Sequence, residues 1–427
     1  MRSAGTMVLP MAEFYHKYAN IIDLIMMPFT YGFVGWFTNW VALKMTFYPI
    51  RFWGIYPPYL GWQGIIPRKA YKMASKSVDI ITGRLLKIEE VFDKVEPEGI
   101  EKEMRPLVEE MIQESTRDII EQINPAIWVM LPENVKADIY KNSKAQVPES
   151  FRQIIYELRK NILQVFDLKG MVLKKLSGDN VKLVVDMFQS VGGPEFRFIE
   201  VSGFYFGVVL GSIQAVIWNF YPEWWTLPIQ GIIVGYLTNY LALEMIFRPY
   251  EEKQYLFFKY QGLFLKRQDE VSRQYSSFVA THILNARNIL EEILYGQAAD
   301  AVLNIIRNTA IKSVENTASV AKPVISVAIG TEKYKQIKKD IVDRMMQLAP
   351  KSIERIEGYV TKSMDLEETM YQRMRKLSPQ EFESVLRSAF QEDELLLILI
   401  GAVLGAIVGL GQAIYMKPEI WKLIWPF

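Results

Sequence analysis

Hydrophobic and polar positions fall into long blocks along the chain. Four apolar runs are each long enough to cross a bilayer, which takes about 20 residues: 23–47, 202–219, 226–247 and 395–415. The last has no charged residue in 21 positions, which argues against a buried helix of a soluble protein. Between the runs lie two polar segments, 48–201 and 248–394. Their apolar residues recur at helical spacing. Met104, Leu107, Val108, Met111, Ile112, Ile119, Ile120 and Ile123 form one stripe, and Ile337, Ile341, Val342, Met345 and Met346 another. Such stripes are expected to bury against each other or against another subunit. Pro97, Pro125, Pro132, Pro148, Gly192 to Pro194, Pro323, Pro350 and Pro379 are expected to divide the segments into several helices. Only Tyr56–Ile66 and Tyr255–Phe264 alternate like strands.

The blocks repeat. "VGWFTNWVALKMTFYP" (34–49) aligns with "VGYLTNYLALEMIFRP" (234–249) at an offset of 200, laying Gly35 on Gly235, Thr38 on Thr238 and Asn39 on Asn239. Downstream the offset is 198, where "QGIIPRK" (63–69) meets "QGLFLKR" (261–267), and at the ends "GVVLG" (207–211) is aligned with "GAVLG" (401–405) at 194. The order of span, polar segment and span thus recurs, as a tandem duplication would give. The expected fold class is mainly α: an integral membrane protein of four transmembrane helices and two long helical soluble segments. Its expected parts are a tail at 1–22, a first repeat at 23–219, a hairpin at 220–225, a second repeat at 226–415 and a tail at 416–427.

The hairpin "FYPEWW" has no Lys or Arg, whereas Arg51, Arg68, Lys69 and Lys72 follow the first span and Arg248, Lys253, Lys259, Lys266 and Arg267 the third. The positive-inside bias then assigns both polar segments to the cytoplasm. The basic residues of the tails, Arg2, Lys17, Lys417 and Lys422, weigh the other way. With both units entering alike, the repeats are expected to be parallel, about an axis along the membrane normal.

The 427 residues carry a net charge of only +1, so nucleic acid is not an expected partner. There is no cysteine, and His16 and His282 lie far apart in sequence, which leaves little for thiol, triad or metal chemistry. No cofactor or metal is expected. Nor does the N-terminal stretch read as a cleavable signal peptide.

The paired "TNxxAxxM" spans, the "QGxxPRK" and "QGLFLKR" stretches, "PEFRFIEVSGFYFGVVLG" and "FQEDELLLILIGAVLG" resemble the bacterial membrane family catalogued as domain of unknown function four-four-five. The resemblance extends from about residue 28 to 412. It implies an inner-membrane, multi-pass protein and assigns no catalytic residues.

Polar groups within a span face protein or water, since a central charge costs about 2.5–3.5 kcal/mol on insertion scales. Thr38, Asn39, Thr238 and Asn239 are therefore expected to face one another, with Asn39 and Asn239 as partners, either as interhelical glue or as the lining of a conduit. Lys44 aligns with Glu244, so the two either pair between repeats or snorkel separately. Gly203, Gly207 and Gly211, and likewise Gly401, Gly405 and Gly409, recur every four residues and are expected to mark close helix packing, within or between subunits. Arg68, Lys69, Lys266 and Arg267 are candidates for contact with anionic lipid headgroups.

No Walker A loop, GxSxG elbow, HExxH or dinucleotide fingerprint occurs, and carboxylate pairs such as Glu109 with Glu110, Glu251 with Glu252, or Glu392 to Glu394 read as solvated faces. Three functions are compatible with this sequence: a non-enzymatic membrane scaffold forming a homo-oligomer, a conduit or lipid carrier, and an enzyme acting on a membrane substrate. Their order here is the order of expectation.

Overall fold

The computed structural model describes residues 5–57, 59–123, 129–130, 132–255, 258–318, 331–387, 394–417 and 419. In chain order, α1 (Gly5–Phe47) leads to the hairpin β1 (Trp53–Tyr56) and β2 (Leu60–Trp62), then to α2 (Pro97–Ile123), α3 (Val147–Lys160), α4 (Val181–Phe220) and α5 (Thr226–Phe247). A second hairpin, β3 (Lys253–Tyr255) and β4 (Phe258–Tyr260), precedes α6 (Ala299–Ala318), α7 (Thr331–Met364), α8 (Pro379–Arg387) and α9 (Glu394–Met416). Shorter helices fill the intervals. Expected features outside the described residues are Arg2, Pro125, Pro323, Glu392 and Lys422, together with the side chains of His16, Lys17, Ile119, Ile120, Ile123, Ile337, Ile341 and Met345.

Among the described residues four helices are long and apolar enough to cross a membrane: Ile21–Phe47 of α1, then α4, α5 and α9. Two of them exceed the apolar runs that mark them. Residues 5–22, expected as a tail, belong to α1, and α4 begins about 20 residues before the run at 202–219, its early residues Val184, Val185, Met187, Phe188 and Val191 being buried. Amphipathic burial prolongs that helix where hydropathy alone would end it.

Gly192 to Pro194 and Pro350, expected as breaks, lie inside α4 and α7, and Pro106 lies inside α2. All three prolines are exposed. On the outer side of a curved helix the backbone bonds are already lengthened toward solvent, so a missing N–H disrupts least there. Pro132, Pro148 and Pro379 do sit at helix starts.

The chain forms two compact units, and each draws on both halves of the sequence. One comprises Met1–Lys76, Leu176–Gln274 and Arg375–Phe427; the other comprises Ser77–Lys175 and Tyr275–Met374. This division cuts across the expected one at 23–219 and 226–415. In the second unit the amphipathic stripes of the two halves bury against one another: Met104, Val108 and Met111 of α2 are buried, as are Val342, Ile353, Ile356 and Val360 of α7. Arg344 of α7 bonds Asp118 of α2 at 2.6 Å, Arg373 pairs with Glu90, and Tyr359 Oη accepts from the Glu96 N–H at 3.1 Å.

The first unit contains the spans and both hairpins. Strand register is Trp53↔Trp62, Gly54↔Gly61 and Tyr56↔Leu60 in one hairpin, with a bulge, and Lys253↔Tyr260, Gln254↔Lys259 and Tyr255↔Phe258 in the other. Both hairpins are closed alike. Gly64 N–H bonds Pro49 O and Gly262 N–H bonds Pro249 O, each at 3.0 Å, while Gln63 and Gln261 donate to the carbonyls of Ile50 and Tyr250. In the other unit, two five-residue π-helical turns, Ile81–Leu85 and Val279–Ile283, also recur.

Candidate functional site

The membrane-crossing helices pack as two intimate pairs, α1 with α4 and α5 with α9. A Cβ built on Gly35 would lie 2.2 Å from Gly203 O, and one on Gly235 only 2.0 Å from Gly401 O. Real side chains do not approach so closely, so only glycine permits these backbone contacts. The same register continues along both pairs: Gly207 meets Tyr31 O and Gly405 meets Gly231 O, while Gly211 faces Met27 and Pro28 and Gly409 faces Leu227 and Pro228. Gly203 thus plays the part of Gly401, an offset of 198. The offset of 194 expected for "GVVLG" and "GAVLG" is one helical turn out. Glycine every four residues makes two alignments one turn apart look equally good, and only packing distinguishes them. Both glycine faces are occupied within the chain.

Asn39 and Asn239 are buried but are not partnered with each other. Asn39 Nδ2 donates to Ile199 O at 2.7 Å, and Asn239 Nδ2 donates to Leu397 O at 3.0 Å, so each amide ties the two helices of its own pair. The link between pairs comes from Thr238, whose hydroxyl donates to Asn39 Oδ1 at 3.2 Å. Thr38 turns back to Gly35 O at 3.2 Å. A helix carbonyl retains a free lone pair after its own i+4 bond, which makes it a nearer acceptor than a second amide.

Three further bonds join the pairs through residues the sequence reading passed over. Tyr31 Oη donates to Leu227 O at 3.3 Å, Gln230 Nε2 to Leu210 O at 3.0 Å, and Gln214 Nε2 to Thr226 Oγ1 at 3.2 Å. A signal existed. Thr226, Gln230, Val234 and Thr238 follow one another at intervals of four, so three polar side chains share a face of α5.

At the ends of the spans the charges find local partners. Lys44 lies over the Tyr48 ring, 5.7 Å from its centroid, and Glu244 pairs with Arg248 at 3.4 Å, so of the two alternatives the pairing of Lys44 with Glu244 is not formed, and each has an i,i+4 contact on its own helix. Arg68 and Lys266 are exposed at the ends of the short helices Ile65–Arg68 and Leu263–Lys266, and Lys69 is half-buried. Arg267 is different. Its guanidinium bonds the buried Glu195 at 2.6 Å and Glu270 at 2.7 Å, which removes it from the headgroup candidates. Glu270, then Glu195, hold it more firmly protonated than an ordinary arginine, against the opposing effect of burial.

A second, half-buried cluster lies beside α9. Arg387 bonds Glu394 at 2.6 Å and Glu383 at 2.7 Å, and Tyr250 Oη donates to Glu383 at 2.5 Å. The Glu394 bond leads in holding Arg387 protonated, and the Glu383 bond raises the Tyr250 hydroxyl. The first cluster was not legible in the sequence, since Glu195 and Arg267 are 72 positions apart, whereas in the second only Tyr250 is distant from its partner Glu383. Among the described residues no group of three His, Cys, Asp or Glu side chains converges as a metal ion would require.

These polar groups bond helix to helix, and the arrangement can lock a bundle. The family described as "Protein of unknown function (DUF445)" matches residues 229–356, from α5 into α7. A UPF0754 membrane protein of Bacillus pumilus (strain SAFR-032) is 33% identical over 92 residues, which are 21% of this chain and 24% of that protein. One from Shouchella clausii (strain KSM-K16) is 31% identical over 137 residues, or 30% of this chain and 36% of the relative. One from Synechococcus sp. (strain JA-3-3Ab) is 22% identical over 416 residues, spanning 90% of this chain and 96% of the relative. The chain therefore spans about a quarter of the first of these relatives, about a third of the second and nearly all of the third. No solved structure matches. With its four apolar helices, the chain is similar to the DUF445 family of bacterial membrane proteins over residues 229–356 and, at lower identity, to a UPF0754 membrane protein over nearly its whole length.

Proposed function

We propose that this protein is a non-enzymatic scaffold of the bacterial inner membrane, a four-helix anchor that carries the helical segments 48–201 and 248–394 on the cytoplasmic face. The observation that carries the reading is the use of the intramembrane polar groups. Asn39, Asn239, Thr238, Tyr31, Gln214 and Gln230 each bond a neighbouring helix. A conduit or lipid carrier needs such groups turned toward a path. Here they act as adhesive between helices.

The scaffold arose by tandem duplication with parallel repeats. Supporting this are the hairpins closed by Gly64 and Gly262, the paired π-helical turns, the two amide-to-carbonyl bonds and the glycine contacts in one register. A homo-oligomer is part of the proposal. Since the glycine faces are occupied internally, it rests on the surfaces outside the spans, where Tyr156, Leu163 and Tyr295 are exposed.

Reconstitution tests the scaffold against the conduit. Liposomes containing the protein are expected to leak no ions and scramble no fluorescent lipid beyond protein-free controls. A flux that Asn39→Leu or Asn239→Leu abolishes would overturn the reading. Cysteines introduced singly at Gln113 and Arg355 test the orientation, and labelling of both by an impermeant thiol reagent in intact spheroplasts would reverse it. Light scattering in mild detergent tests assembly: a protein mass of 49.5 kDa would be a single chain and would sink the oligomer.

A further inference from the structure

Where α1 leaves the membrane, its last turns and the first hairpin form an open groove of about 640 Å³, bounded by Trp40, Lys44, Met45, Tyr48, Ile50 and Trp53. Its wall is apolar and aromatic. The one charged group is Lys44, exposed, held over the Tyr48 ring and without a carboxylate partner among the described residues. The hairpin beside it carries no charge from Trp53 to Trp62, and Trp53, Ile55, Tyr56, Tyr59 and Leu60 are all largely exposed. An exposed set of this kind is at home among headgroups and upper acyl carbons, where tryptophan and tyrosine collect.

The corresponding place in the second half keeps exposed aromatics at Tyr240 and Tyr255 but differs in its charges. Glu244 stands where Lys44 does and is neutralised by Arg248, Arg248 replaces Tyr48, and Lys253 replaces Trp53. In the hairpin that follows, Lys259 pairs with Glu252. The first helix pair thus presents a cation without a carboxylate partner beside an apolar trough, and the second presents self-paired charge.

We infer that the groove between α1 and the first hairpin binds one anionic phospholipid, its phosphate on the Lys44 ammonium and an acyl chain along Trp40 and Met45. The occupant follows from complementarity. A lone ammonium at the membrane surface matches a phosphate, and the apolar wall continues into the lipid-facing surface that Phe29 and Phe33 expose farther up α1. The inference rests on the membrane reading and not on the scaffold, so absence of lipid binding would leave the flux experiment unaffected, and the reverse.

The test is native mass spectrometry of the delipidated full-length protein with added phosphatidylglycerol, phosphatidylcholine or inorganic phosphate. The first phosphatidylglycerol is expected to bind about fivefold more tightly than phosphatidylcholine, the contribution of one basic group near a surface. Lys44→Glu should abolish that preference, Lys44→Gln should lower it at unchanged melting temperature, and Lys72→Ala, at an exposed basic residue outside the groove, should preserve it. Equal binding of the two lipids, an unchanged preference in the Lys44→Gln protein, or displacement of the lipid by millimolar phosphate overturns the inference. So does a loss of preference in Lys72→Ala as large as in Lys44→Gln, which would mean diffuse attraction and not a site.

Discussion

Gly235 and Gly401 meet backbone to backbone: a Cβ on Gly235 would lie 2.0 Å from Gly401 O, and one on Gly401 would lie 2.5 Å from Gly235 O and 2.2 Å from the Asn239 side-chain amide. Backbone cannot swing aside as a side-chain tip can. Gly235→Ala and Gly401→Ala are therefore expected to force α5 and α9 apart at a cost of about 1–3 kcal/mol. Gly411→Ala is the control, since the added methyl finds nothing within 4 Å and the helix gains a better former. Thermal unfolding in mild detergent reads the contrast, and equal shifts for Gly235→Ala and Gly411→Ala would contradict it.

The two asparagines bond separate carbonyls, so their substitutions should add. Asn39→Leu and Asn239→Leu are each expected to lose about 0.6 kcal/mol, with no coupling in the double variant. Coupling is expected instead between Asn39→Leu and Thr238→Val, because the Thr238 hydroxyl donates to Asn39 Oδ1. A double-mutant cycle that finds the coupling in the first pair and not in the second would show that the amides meet.

Arg267→Ala leaves the Glu195 carboxylate buried without its cation. Breaking such a pair from one side costs about 3 kcal/mol. Glu195→Gln should cost less, since a neutral amide is cheaper to bury and still accepts from Arg267 at the same position. The order of melting temperatures, with Arg267→Ala lowest, is the measurement.

Tyr260 Oη donates to Met245 O at 2.5 Å, and burial pushes the phenol up to about 12. The folded state holds this proton more tightly than the unfolded chain, where tyrosine titrates near ~10. Its contribution is therefore complete below the unfolded value and is lost as pH rises through the folded one. Tyr260→Phe is expected to remove about 1 kcal/mol at neutral pH and to flatten the decline of stability above pH ~10. A decline of unchanged steepness in the variant would assign it to other groups.

What could be read in advance was local. Apolar runs marked the spans because length and hydropathy are properties of contiguous residues, and alternation at 56–66 and 255–264 marked the hairpins for the same reason, three and two residues late at their starts and four residues beyond their ends. The buried asparagines and the glycine faces stood out as anomalies in an apolar background. Their partners did not. Ile199 O and Leu397 O are backbone groups with no sequence signature, and the period of four in the glycines left the register of each pair ambiguous by a turn. The interleaving of residues 77–175 with 275–374 in one unit was hidden because an amphipathic stripe declares that it will be covered without declaring by what.

The bundle is mechanically uneven. Within α1 and α4, or α5 and α9, backbones touch, and separating them would open a void along the whole contact. Between the two pairs the junction is closed by a small buried cluster of Met27, Tyr31, Leu227, Val234 and Ala413 and by single bonds from Thr238, Tyr31, Gln230 and Gln214 to their acceptors. Such bonds can be exchanged one at a time for others of similar strength, whereas interdigitated glycine faces part all at once. The pairs are thus the stiff staves and the line between them the joint. Lateral pressure or a change in bilayer thickness will act there first, tilting one pair against the other while each keeps its own shape.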